Sequence, residues 1–180
     1  MKKRKSGFSL TEILIVLAVS SIVLAIVTVV SSMTFKTSSQ LNATMTLDEE
    51  ITKLHTNMRY IISQSWTTLT DIAERSTEEA ETSYIELTDS IPTNDEAAWV
   101  TTVSTIMYLP VEKRVVHYFH VDESGGITSQ TIAEHVDDFS FIVPSEGEYV
   151  TYTATFTYYY DKEKTKPVTS KYTSGAVRFY

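Results

Sequence analysis

The feature that most restricts this chain is an apolar run from Phe8 to Val30, preceded by four adjacent cations, Lys2, Lys3, Arg4 and Lys5. The run contains no Gly, no Pro and a single charge, Glu12. At roughly 20 residues or more it is long enough to span a bilayer as a helix, and its basic flank predicts that the amino end stays on the cytoplasmic side. A carboxylate within hydrocarbon costs about 2.5 to 3.5 kcal/mol on insertion scales, so Glu12 requires a partner or a role.

Three processing schemes compete. A cleavable secretory signal would have a shorter apolar core and a small-residue cut site beyond it, which "VVSSM" matches poorly. A plain signal anchor accounts for the length and the basic flank but gives Glu12 no purpose. The third scheme cuts between Gly7 and Phe8, so that the apolar helix remains on the mature chain. The stretch "KSGFSLTEILIVLAVSSIVLAI" resembles the type III signal of type IV pilins and of the pseudopilins of type II secretion systems. Basic leader, Gly7, aromatic Phe8, Leu10, Thr11, Glu12 and an unbroken apolar helix all agree in spacing.

That resemblance implies cleavage after Gly7 by prepilin peptidase, N-methylation of Phe8, and a role for Glu12 in registering a subunit against its neighbour in a filament. The partners it implies are prepilin peptidase, other pilin or pseudopilin subunits, the inner-membrane assembly platform and the lipid bilayer. It also implies a single-pass inner-membrane protein that moves to a surface pilus or periplasmic pseudopilus on assembly. The chemistry is compatible. Gly7 has no Cβ to obstruct a tight protease site. Cleavage leaves a cationic amine on Phe8 that can pair with Glu12 of the same chain or of a neighbour. The other reading of Glu12 is a side chain that snorkels into the headgroup layer. Many major pilins carry a proline some three turns into the apolar helix, whereas here that neighbourhood reads "IVTVVSS" and no proline precedes Pro92.

Charge supports an exposed domain that is a poor direct ligand for nucleic acid. The leader holds four of the 15 Lys and Arg residues, leaving 11 against 23 Asp and Glu, a net of −12 for the cleaved chain. There is no cysteine, hence no disulfide and no thiol nucleophile.

Neither Gly nor Pro occurs between Phe8 and Ile91, so a long helix is permitted. Leu47, Ile51, Leu54, Met58, Ile61, Ser65 and Leu69 recur at steps of four and three, drawing one stripe that a sheet or a coiled-coil partner would cover. A helix from Phe8 to about Trp66 would be roughly 90 Å long. From Trp99 onward the composition turns β. "WVTTVSTIMYLP", "KRVVHYFHVD", "DDFSFIV", "VTYTATFTYYY" and "GAVRFY" are separated by polar turns, which predicts an antiparallel meander. The expected fold class is α+β, a long amino-terminal helix packed on a carboxyl-terminal antiparallel sheet as in the type IV pilin fold. The expected parts are a leader at 1–7, a membrane or filament-core helix at 8–30, its amphipathic continuation at 31–69, a variable connection at 70–98 with "DIAERSTEEAETS" acidic and helical and "SYIELTDSI" a short strand before Pro92, and the sheet domain at 99–180.

Within the carboxyl half, Ile132, Ala133, Glu134, His135, Val136, Phe139 and Phe141, followed by a terminal strand with Arg178, resemble PilW-type minor pilins and the J pseudopilin of type II secretion. This implies a minor subunit; a major pilin, a competence pseudopilus subunit and an anchored adhesive domain that forms no filament are the alternatives. Small residues Ala18, Ser20, Ser21 and Ala25 would permit close helix packing.

Catalytic, cofactor and metal signals are weak. H-E-x-x-H, a Gly-rich phosphate loop and G-x-S-x-G are missing. His117 and His120 are an odd number of residues apart on an expected strand and point to opposite faces. His135 with Glu134, Asp137 and Asp138 reads as a solvated acidic loop end sooner than a calcium site, and "DESGG" lacks the spacing of a calcium loop. The Tyr-rich strand suits a core or interface better than a sugar surface. Asn42-Ala43-Thr44 is a sequon inside an expected helix.

Overall fold

The computed structural model describes residues 9–64, 66, 68–77, 80–92, 99–120, 127–144, 149–160, 167 and 169–178. These form one helix, α1 (Leu10–Ile62), then β1 (Thr68–Thr77), β2 (Ala80–Pro92), β3 (Trp99–Leu109), β4 (Arg114–His120), β5 (Ile127–Ala133), β6 (Val136–Ile142), β7 (Tyr149–Tyr158) and β8 (Thr169–Arg178). The architecture is α+β, consistent with the type IV pilin fold. The chain divides into two units, Met1–Asn42 and Ala43–Tyr180.

In the first unit the helix is apolar on every side. Its large apolar side chains between Leu10 and Val30 are all exposed, from Ile13 at 51% to Leu10 at 78%. A helix with no polar face lacks the stripe that anchors a soluble helix, and its length and composition suffice to cross a membrane. Many of its residues are β-branched and would favour strand in water. A helix, however, satisfies every backbone group internally, which is decisive where water is excluded.

In the second unit Ala43, Leu47, Leu54, Met58, Ile61 and Ile62 of α1 are buried and Ile51 packs beside them. The helix stops at Ile62, short of the expected Trp66 or Leu69. "SQSWTT" follows, poor in helix formers, and the Trp66 indole N–H donates to the Ile61 carbonyl at 2.6 Å, closing one of the open carbonyls of the last turn. Leu69 lies in β1 and therefore leaves the stripe; Ser65 lies outside the described residues. Within the connection expected at 70–98, "SYIELTDSI" is a strand as expected, part of β2, and it pairs antiparallel with β1. The acidic run expected to be helical instead lies largely in β1 and the start of β2, where pairing between the two strands, with one irregularity between Ile72 and Arg75, overrides local helix preference.

The expected single meander is two. One sheet has the order β1-β2-β3-β4-β5 and the other β6-β7-β8, every pairing antiparallel. Both bury side chains in one core with α1. Ile85, Leu87, Ile106, Val115 and Ile132 come from the first sheet; Val136, Phe139, Val150, Tyr152, Ala154, Phe156 and Val177 come from the second. The break falls at Glu134-His135, where His135 adopts φ 60°, a left-handed conformation uncommon outside glycine and asparagine.

Two bulges let this corner face inward. Val115 pairs Ala133 while Val116 pairs Thr131, so Ile132 is extra and both Ile132 and Ala133 are buried. A second irregularity between Val136 and Asp138 brings Val136 and Phe139, three residues apart, to the same side. Side chains of α1 reach across to the strands. Glu50 accepts from the Glu134 backbone N–H at 2.6 Å, Asn57 donates to the Ile132 carbonyl at 3.4 Å, and Asp48 pairs with Lys171.

Candidate functional site

Lys2, Lys3, Arg4, Lys5, Gly7 and Phe8 lie outside the described residues; the site becomes visible at Ser9. Ser9 precedes the first helical residue and its Oγ accepts the Glu12 backbone N–H at 3.3 Å. Glu12 Oε2 in turn accepts the Ser9 backbone N–H, also at 3.3 Å. This reciprocal pair is a capping box, two orphan donors of the first turn satisfied by Ser and by Glu three residues on. The carboxylate is also well placed electrostatically, at the positive end of the helix dipole.

The role of Glu12 is thus partly local. Its side chain is folded back toward the residue that precedes the helix, the direction in which Cβ bonds tilt. One bond to Ser9 leaves most of its acceptor capacity open to a cation at the amino end. The sequence reading missed the box, although "SLTE" before an apolar run is its signature.

Along the apolar stretch four hydroxyls close on the helix itself. Ser21 donates to the Ala18 carbonyl and Thr28 to that of Leu24, each at 2.8 Å; Ser32 donates to Val29 at 2.8 Å and Thr34 to Val30 at 2.9 Å. Such back-bonding removes the penalty of carrying a free hydroxyl into hydrocarbon.

The domain's histidines serve its packing. His117 is hydrogen-bonded through Nε2 to Ser104 Oγ, and burial holds its pKa below the ordinary value. Ser104 is only 2% exposed, and its hydroxyl also lies 3.3 Å from the Tyr118 carbonyl, so it is held within the sheet packing. His120 ends β4, its side chain outside the described residues. His135 occupies the corner between the sheets instead of a solvated loop end. Its ring meets Tyr158 edge-on at 4.9 Å, and its carbonyl accepts from Thr157 N–H at 3.0 Å.

Asp137 and Asp138 begin β6, and Lys113 donates to Asp137 Oδ1 at 2.5 Å. Burial pushes the Asp137 carboxyl upward, but hydrogen bonds from Lys113 and Thr157 and the lysine charge hold it below its ordinary value. Among the described residues no group of three or more His, Asp or Glu is placed to hold a metal. "DESGG" lies outside them. The Tyr-rich strand is β7, where Val150, Tyr152, Ala154 and Phe156 turn into the core. Tyr152 is hydrogen-bonded to His55 Nδ1, and burial pushes its phenol up to about 12.

Compared with known families, the chain matches the prokaryotic N-terminal methylation motif over residues 2–28. No curated protein and no solved structure matches it. The matched segment covers the basic leader, Gly7, Phe8, the Ser9–Glu12 box and the apolar turns that follow. Residues 2–28 of this chain are thus a type IV prepilin-like signal.

Proposed function

We propose that the chain is a minor pilin or pseudopilin, a structural subunit that enters or initiates a type IV pilus or a type II secretion pseudopilus. Prepilin peptidase cuts between Gly7 and Phe8 and methylates the Phe8 amine, with Lys2, Lys3, Arg4 and Lys5 holding the leader at the cytoplasmic face. The freed amine stands four residues before Glu12 in the sequence. The two pair within a chain or between neighbours, which makes the carboxylate tolerable in a helix bundle.

The observation that carries this reading is an apolar helix exposed on every side whose one carboxylate sits at its capped start. Lipid covers such a surface before assembly and other amino-terminal helices cover it afterwards. The minor-subunit assignment draws on the segment from Ile132 to Phe141, which forms the corner between the two sheets.

The test is the amino-terminal sequence and mass of the protein from cells with and without prepilin peptidase. A chain beginning at methylated Phe8 only when the peptidase is present supports the proposal. An intact leader, or a cut near Ser31, refutes it. Glu12→Ala separates a filament subunit, which assembles poorly without the carboxylate, from an anchored adhesive domain, which is indifferent to it.

A further inference from the structure

Between the last turns of α1 and the end of β8 lies a cavity of about 270 Å³ whose lining includes His55, Arg59, Ser63, Tyr152 and Arg178. His55, Arg59 and Ser63 are spaced by four and stand above one another along one helix face. No Asp or Glu is among the described residues that line it, in a chain carrying 23 acidic residues against 15 Lys and Arg.

The Arg59 guanidinium makes no hydrogen bond or ion pair with any described residue. His55, by contrast, is fully engaged. Its Nδ1 meets the Tyr152 hydroxyl and its Nε2 lies 2.9 Å from Thr173 Oγ1. His55 and Tyr152 are therefore a fixed wall, and Arg59 supplies the uncommitted charge.

We propose that this cavity binds the carboxylate of an Asp or Glu side chain presented by an adjoining protein chain. A guanidinium offers a planar fork of donors that matches a carboxylate. The carboxyl end of α1 contributes a partial negative charge of about half a unit, smaller than the Arg59 charge but enough to penalise a dianionic phosphate more than a singly charged carboxylate. Like-charged chains of this acidity repel unless their carboxylates meet cations, and an arginine cavity free of acids provides such a meeting point. The site does not depend on the cut after Gly7, because the uncut chain carries the same residues.

Arginine side-chain N–H resonances of the full chain in detergent micelles, labelled with ¹⁵N-arginine, read the site directly. The titrants are a blocked Gly-Glu-Gly tripeptide, its Gly-Gln-Gly counterpart, glutarate and inorganic phosphate at matched ionic strength. Saturable shifts of the Arg59 Nε–H signal with Gly-Glu-Gly, none with Gly-Gln-Gly and none at Arg114 are expected. Arg59→Gln, at an exposed position that leaves the core intact, weakens the tripeptide at least about tenfold. Shifts that merely follow ionic strength overturn the site. Equal response to phosphate makes it a general anion site, and saturation by glutarate without the tripeptide makes it a pocket for a free acid; either result overturns the docking proposal.

Discussion

Gly175→Ala is expected to push Tyr152 out of its place and uncouple α1 from β7. An alanine Cβ at this position would lie 2.7 Å from both Cζ and Oη of Tyr152 and 2.9 Å from Cε1 of His55, closer than carbon atoms tolerate. The backbone itself raises no objection, since φ at Gly175 is outside the left-handed region, so the whole effect is steric. Tyr152 is 2% exposed and packs against Phe139 with ring centroids 6.2 Å apart, which leaves it little room to retreat.

Overpacking of this kind costs about 1 to 3 kcal/mol, and losing the Tyr152–His55 hydrogen bond adds about 0.5 to 1.5 kcal/mol. The expected total is about 2 to 4 kcal/mol, or a melting midpoint lower by about 5 to 15 °C. Urea and thermal unfolding of the full chain in micelles, followed by near-ultraviolet circular dichroism, measure it. The companion variant Tyr152→Leu opens the space, so adding Gly175→Ala to it costs much less than in the parent. A change below about 0.5 kcal/mol in the parent, or the same cost in both backgrounds, refutes the steric argument.

Ser9→Ala removes one half of the capping box and is expected to cost about 1 kcal/mol locally, seen as roughly fivefold faster hydrogen exchange at the Glu12 amide. Unchanged exchange would remove Ser9 from the box. Because the folded pKa of His117 lies below its unfolded value, the unfolded chain binds the extra proton first. Stability is full above about pH 6.5 and falls as the pH drops through the folded value. His117→Gln flattens that slope in urea melts between pH 7 and 5, and an unchanged slope assigns it to other groups. Lys113 and Asp137 are both partly exposed, so Lys113→Ala costs no more than about 1 kcal/mol despite the short bond. A larger loss in the same melts would mean that the bond braces the corner at His135.

The amino end was legible because four requirements coincide within a few residues: a basic leader, Gly7 before Phe8, one carboxylate, and a run long enough for a bilayer. The period of α1 was legible too, from Leu47 through Ile61, since burial on one face of a helix leaves a regular trace. Its end was not. "SQSWTTLT" continues the apolar spacing to Leu69 but consists of residues that pair well in strands, and contacts with β2 decide between them. The division into two sheets was hidden for a related reason. It depends on bulges and on a left-handed His135, and a bulge breaks the alternation by which strands are recognised. The adjacent apolar residues Ile132 and Ala133, and the odd spacing of Val136 and Phe139, were its visible signs. The Arg59 cavity joins residues more than 100 positions apart, a proximity no local pattern encodes.

The back-bonded hydroxyls of the apolar helix bear on how such a segment travels. Ser21, Thr28, Ser32 and Thr34 each carry their hydrogen-bond partner within their own backbone. At these four positions the helix trades no polar contacts when its surroundings change from acyl chains to other helices, so there the transfer is governed by van der Waals packing, with Glu12 at the end. Withdrawal would retrace the same path, and nothing in the wall of the helix would act as a ratchet. Directionality would have to come from its charged end.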